Sequence, residues 1–430
     1  MFKKTTVLFI ALTMILGVCL FSGCKKTSNS KENESGSSAA ETPVTENPLD
    51  FGENNFLNAE IKSEDENYYY LRDKVLLSQA YPKAKVDFGE LNVKDSGGEY
   101  IFPRSIDNEY NVFHSRDSKD NKKGEIGIYN LKSKTYKKLI DLPLLSQASI
   151  VAVNEKYLVW MEGMDDSNWG KTTLHLYNRA TNEDEVFHMA ATNPETETVY
   201  AWNWRKPIIM GDKIYFDDIV GFENEIYKVN MFCYDVVLKK TELFQEMAKM
   251  PMIWNGQIAW TEMGKTKDDV LFKTMENDER ITVFEIHTYK FFASMNSQGK
   301  IAIVLNNLNT ETHKLLNPKA SSSSNRVDCS GLQVYKNNKV IPILITKQSK
   351  YLGSPVSDGR FVVLEQMDLY HSPVFYDSEK DEIINLDTVD SSFVYSGVMG
   401  GDMLMYVRNE TKDDANARWS YYLINLNELK

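Results

Sequence analysis

From residue 94 onward, short apolar runs alternate with clusters of Asn, Asp, Gly, Ser and Lys. The runs are rich in Val, Ile, Tyr and Phe, and show little of the 3.6-residue spacing that marks an amphipathic helix. This pattern predicts short strands joined by polar turns. The runs also repeat. "KYLVWMEG" from 156 is followed by "LHLYNRATNEDEVF", "QIAWTEMG" from 257 by "VLFKTMENDERITVF", and "RFVVLEQM" from 360 by "PVFYDSEKDEIINL".

Aligning the phrase gives seven copies of one strand: "YNVFHSRD" at 110, "YLVWMEG" at 157, "KIYFDD" at 213, "QIAWTE" at 257, "KIAIVLN" at 300, "RFVVLEQ" at 360 and "MLMYVRN" at 403. Their starts lie about 40–60 residues apart, near the period expected of propeller blades. Each copy is followed by a next strand, such as "EIGIYN", "TLHLYN", "NMFCYD", "SPVFYD" or "SYYLIN". Several then run through a polar turn into a third strand, and a short apolar segment such as "SIVAVN" precedes the first. The unit is four antiparallel strands. Such a sheet is apolar on both faces and must pack against copies of itself, so the expected fold is all-β, a β-propeller of four-stranded antiparallel blades. Seven blades are expected, with six as the alternative, because 306–330 is irregular. The last copy stops after its third strand. "AKVDFGELNV", 84–93, is therefore expected to supply the missing strand and close the ring. Residues 64–82 read either as a helix on the rim or as an extra edge strand.

The phrase of apolar strand, polar loop, [LFV]-Y-[ND] turn and third strand resembles the blades of TolB-like propellers and of other extracytoplasmic propeller lipoproteins. The resemblance covers about 84–430 in pattern. It implies a binding scaffold in the cell envelope and carries over no catalytic residue.

The N-terminus speaks to location. Lys3 and Lys4 precede an apolar run from Thr5 to Leu20, and then Phe21, Ser22 and Gly23 lead into Cys24. This looks like a bacterial lipoprotein signal, with 1–23 removed and Cys24 acylated. Phe21 stands where Leu, Val or Ile is usual. Two acyl chains on one cysteine anchor a chain firmly to a membrane. The stretch 24–60 reads as the lipidated Cys and a disordered tether, since its Ser, Glu, Asn and Pro cannot bury enough apolar surface to order it. The expected propeller domain is 61–430, on the extracytoplasmic side of the cell membrane.

Composition adds limits. The net charge is −12, which argues against nonspecific nucleic-acid binding. After processing only Cys233 and Cys329 remain free of the signal and lipid sites. The repeat sets them two blades apart, too far for a disulfide, and Cys233 falls in a core column. No metal-ligand spacing exists among His114, His175, His188, His287, His313 and His371, so no metal or other cofactor is expected. His114 is the single histidine nearest the expected channel mouth.

One column invites a functional reading. Arg116, Glu162, Asp218, Glu262, Leu305, Glu365 and Arg408 close the seven copies of the repeated strand. If their ends open on one face, the charged members form an electrostatic mouth for a cationic ligand, a basic protein patch or a divalent cation. Solvated strand-end charges are the plainer account. Tyr200, Trp202 and Trp204 share a face at period two and suit either sugar stacking or core, whereas Trp160, Phe216 and Trp260 read as core. No nucleophile motif or phosphate loop is present. The expected function is a non-enzymatic scaffold for an envelope protein or surface glycan. A polysaccharide lyase or hydrolase working in the channel through Glu162, Asp218, Glu262 and Glu365 is the alternative, and a sensory ectodomain is a third.

Overall fold

Turn chemistry sets the strand pairing. Asn255–Gly256, Asn277–Asp278 and Asn337–Asn338 each join two strands, and all six residues have positive φ. Two successive left-handed residues make the hairpin turn whose twist matches paired strands, and Asn, Asp and Gly tolerate it best. Lys134, Asn182, Lys239 and Asp381 take the same conformation in the slightly longer turns of four other hairpins.

In the computed structural model these hairpins build seven antiparallel sheets. The structure describes residues 49–430 apart from 52–53, 66–67, 119–121, 165–171, 194–206, 224–225, 265–268, 288–291, 309–328, 348–354, 365–373, 387–393 and 410–418. The blades in chain order are 103–141, 146–189, 208–245, 248–287, 292–346, 355–385 and 394–425. The repeated strand is the second of each blade. First strands neighbour one another from blade 1 to blade 6, the second strand of blade 6 meets the first of blade 7, and that strand returns to the first of blade 1. The fold is a closed seven-bladed β-propeller. At the closure Gly400 lies so near the Ile106 carbonyl that a Cβ there would collide with it.

The core lies between blades. Phe113, Ile150 and Trp160 fill the gap between blades 1 and 2, Val159, Phe187 and Phe216 that between 2 and 3, and Tyr215, Met231 and Trp260 that between 3 and 4. Trp160, Phe216 and Trp260 are almost wholly buried, as their shared column requires.

The ring closes as the sequence suggested. Val86–Glu90 pairs antiparallel with Trp419–Asn425 as the outer strand of blade 7. What precedes it is a strap along the outside of three blades. Leu49–Asp50 adds a parallel strand to blade 4. Ser63–Glu64 and Tyr68–Tyr70 form a hairpin whose second strand joins blade 5. Asp73–Leu76 lies parallel on blade 6, and a single helical turn, Leu77–Ala80, follows. Residues 64–82 thus supply both an edge strand and a short helix. The folded part also begins earlier than position 61. Phe51 and Phe56 are 2% and 0% exposed. Phe51 enters the core between blades 4 and 5, and its carbonyl accepts hydrogen bonds from Asn306 Nδ2 and Gln333 Nε2, both at 2.7 Å. Phe56 sits directly over Gly331, where a side chain would displace its ring. A composition-based tether boundary misses this, because two aromatics in polar surroundings give no periodic signal.

Candidate functional site

The two faces of the ring differ. First-to-second and third-to-fourth strand connections are tight turns of two to four residues on one face. The other connections, including 165–171, 190–207, 309–328, 365–374 and 410–418, all leave on the opposite face. Loops are where a rigid scaffold displays variable chemistry, so the long-loop face is the candidate functional surface.

The second strands end at this face, as expected, but the charged column does not line an open mouth. Arg116 is 14% exposed and is gripped by Asp95 and Glu125, the latter at 3.3 Å. Burial alone would lower its pKa; the hydrogen bond and charge of Asp95 outweigh that and raise it. Asp218 takes His188 Nε2 at 2.8 Å and the Ala191 N–H at 3.1 Å. Glu262 accepts from Trp260 Nε1 and from Lys273 Nζ, each at 2.7 Å. Arg408 reaches the Tyr422 hydroxyl at 3.5 Å, and Leu305 is core. Glu365 lies outside the described residues, as do Tyr200, Trp202, Trp204, His313 and His371. Each described charge meets a partner on an adjacent strand, in the next blade or in the segment before blade 1.

Glu162 belongs to the most developed of these groups. His175 Nε2 approaches Glu162 Oε2 at 3.3 Å, and His175 Nδ1 approaches Asp184 Oδ2 at 3.0 Å. Trp160 stacks on the imidazole at 3.8 Å and donates Nε1–H to Asp184 at 2.8 Å. Ser146 donates to Glu162. Thr173 Oγ1 also stands 3.0 Å from His175 Nε2, so hydroxyl, imidazole and carboxylate occur in the order of a nucleophilic triad. Glu162 changes the chemistry. With a carboxylate at each nitrogen the favoured form is the imidazolium, which cannot accept a proton from the hydroxyl. The group ties together all four strands of blade 2. Sequence reading found Glu162 and His175 separately and missed Asp184 and Thr173. Register alone brings them together, and the only local hint is that "WME" and "WTE" share Trp-x-Glu with a basic side chain opposite.

Burial opposes the charged form of His175, but the hydrogen bonds and charges of Asp184 and Glu162 outweigh it and raise its pKa above the usual value. A raised histidine stabilises the fold fully below about pH 6.5, the unfolded value, and that contribution fades as pH rises through the folded value. The His175 Cε1–H resonance is therefore expected to titrate above about pH 6.5, with the melting temperature falling over the same interval. A flat melting temperature there would remove the imidazolium assignment; in His175→Gln the step should vanish.

His114 is buried rather than at an open mouth. Its Nδ1 meets the Phe102 N–H at 2.9 Å, its Nε2 faces Asp95 at 3.5 Å, and burial lowers its pKa. Cys233 is a free, half-buried thiol whose pKa is raised by burial. Among the described residues no three His, Cys, Asp or Glu side chains converge as a metal-ligand set. A surface groove of about 320 Å³, lined in part by Asn55, Glu60, Lys62 and Arg72, lies on the strap outside blade 5.

Fold and site together define a seven-bladed propeller whose long loops share one face. Solved structures with a similar chain path include the β-propeller domain of the trilobed protease from Pyrococcus furiosus, at 14% identity and a TM-score of 0.47, covering 75% of this chain and 92% of that one. Another is oligogalacturonate lyase from Vibrio parahaemolyticus, at 8% identity and a TM-score of 0.44, covering 80% of this chain and 98% of that one. No family model matches the chain. No curated protein matches it either.

Proposed function

We propose that this chain is a lipid-anchored, extracytoplasmic propeller that acts as a binding scaffold for an envelope protein or surface glycan, engaged through the long-loop face. The carrying observation is the asymmetry of the ring: tight turns on one face, every long connection on the other. The signal-like run Thr5–Leu20 followed by Cys24 supports the anchor. TolB-like propellers remain the family this pattern resembles. The electrostatic mouth of Arg116, Glu162, Asp218, Glu262, Glu365 and Arg408 does not enter the proposal. Its described members are engaged in neighbouring pairs, and ordinary strand-end and interblade pairing accounts for them.

Two measurements test it. An alkyne fatty acid fed to cells should label the protein, and Cys24→Ser should lose the label. A photo-crosslinking residue at Lys122, an exposed position in the long connection of blade 1, should capture one envelope protein. The same residue at Val237, 72% exposed on the tight-turn face, should not. Capture from 237 alone would place the working surface on the wrong face, and no protein adduct from either would leave the glycan as ligand.

A further inference from the structure

Among the described residues, several exposed apolar side chains stand at the long-loop face of blades 1 to 4. Leu145 follows blade 1, Met189 ends blade 2, Met247 follows blade 3 and Met263 ends the second strand of blade 4. Phe222 and Tyr227, 54% and 48% exposed, add an aromatic pair to this set. They face each other across the middle hairpin of blade 3, with ring centroids 4.8 Å apart. This hairpin is built to project. Its first strand, Lys213–Glu223, has 11 residues, against 8 and 7 for the equivalent strands of blades 2 and 4. Beside the ring pair, Glu223 and Lys228 cancel each other's charge.

The first described strand of the chain lies at this same face. Leu49–Asp50 runs parallel to the outer strand of blade 4 and meets it at Ile286–His287, the end from which the long connections leave. The residues before it carry Cys24, and 24 residues of fully extended chain reach at most about 80 Å. The rim where the chain enters is on the blade next to the projecting hairpin.

We propose that the Phe222–Tyr227 hairpin rests in the interfacial layer of a lipid bilayer, with Leu145, Met189, Met247 and Met263 as flanking contacts. This rests on the lipid-anchor reading above. Three observations favour lipid over a protein as occupant. The apolar groups sit singly on separate loops, whereas a protein interface centres on one contiguous, fully desolvated cluster. Tyr227, an aromatic ring with a polar end, suits the headgroup boundary. The anchored end enters at the same face. With a net charge of −12, apolar insertion and not attraction to anionic lipid drives the contact, so zwitterionic lipid suffices and added salt does not weaken it. The long-loop face is then membrane-proximal, and the partner it engages is one held at the same membrane.

The test uses the full lipidated chain on phosphatidylcholine vesicles, with Cys233 and Cys329 replaced by alanine and an environment-sensitive NBD label at Phe222→Cys or Val237→Cys. At 222 the emission should shift to the blue and be quenched by lipids brominated in the acyl chains. At 237 it should stay aqueous. Aqueous emission at 222 from a chain that floats with the vesicles overturns the contact while sparing the anchor. A chain that does not float defeats the anchor, and the contact with it. Aqueous emission at 222 on vesicles combined with protein capture from 222 in cells would give the hairpin to a protein partner.

Discussion

Arg360→Ala is expected to destabilise the protein by about 3–5 kcal/mol, the cost typical of breaking a buried ion pair from one side. Asp377 is fully buried and Arg360 grips it with both prongs, Nε to Oδ1 at 3.0 Å and Nη2 to Oδ2 at 2.9 Å. Tyr81, from the strap, donates to the same carboxylate and accepts from Arg360 at 2.8 Å. The alanine variant leaves Asp377 charged and largely uncompensated. Adding Asp377→Asn should restore much of the loss, because a neutral amide is cheaper to bury than a lone carboxylate. Arg360→Lys should sit between, since a point charge cannot make the forked contact. Urea midpoints of the single and double variants check this. Equal midpoints for wild type and Arg360→Ala would mean that water enters and solvates Asp377.

The sign with pH also follows. Burial pushes the Asp377 carboxyl upward, but Arg360, Tyr81 and the Glu379 N–H overcome it and hold the pKa below the usual range. A depressed carboxylate contributes its stability above about pH 4, the unfolded value, and loses it as pH falls through the folded value. Acid unfolding should therefore begin at higher pH in a chain lacking Arg360.

The second large effect belongs to the strap. Phe51→Ala and Phe56→Ala should each cost about 3–5 kcal/mol, the range for truncating a buried phenylalanine. The residues lie close along the chain and reach blade 5 together, so their costs should not add cleanly. A chain beginning at Thr45 should unfold at the same urea concentration as the full protein. One beginning at Leu91 should lose the sharp transition, having lost the outer strand of blade 7, Phe51 and the Tyr81 contact. Unchanged unfolding of the shorter chain would show that the ring stands without its strap.

The blades were legible because each second strand is a near-continuous apolar run with both faces buried, ended by a turn of fixed chemistry. The closing strand was legible from a deficit, since the last copy lacked a partner for its outer edge. The strap was not. Strands of two to four residues have no period to read, and backbone pairing to an edge leaves no mark on side-chain pattern. The column from Arg116 to Arg408 was found, but the partners of its described members were not, for a similar reason. A charge at a strand end looks solvated until its partner is known. The partners of Glu162, Asp218 and Glu262 are His175, His188 and Lys273; register within a blade places the first and last, and packing of blade 2 on blade 3 places His188.

Closing blade 7 with residues from both ends has a consequence for how the molecule comes into being. Asn92 and Trp419 are hydrogen-bonded although 327 positions separate them. Chains are made from the N-terminus, so Val86–Glu90 must wait unpaired until almost the last residue has been added. Until then blade 7 lacks its outer strand and blade 1 lacks its neighbour. Contacts this distant in sequence form slowly, and an unpaired strand edge invites wrong partners meanwhile. The nascent protein should depend on chaperoning to its very end, and a chain cut short by a dozen residues should be degraded rather than persist as a six-bladed ring.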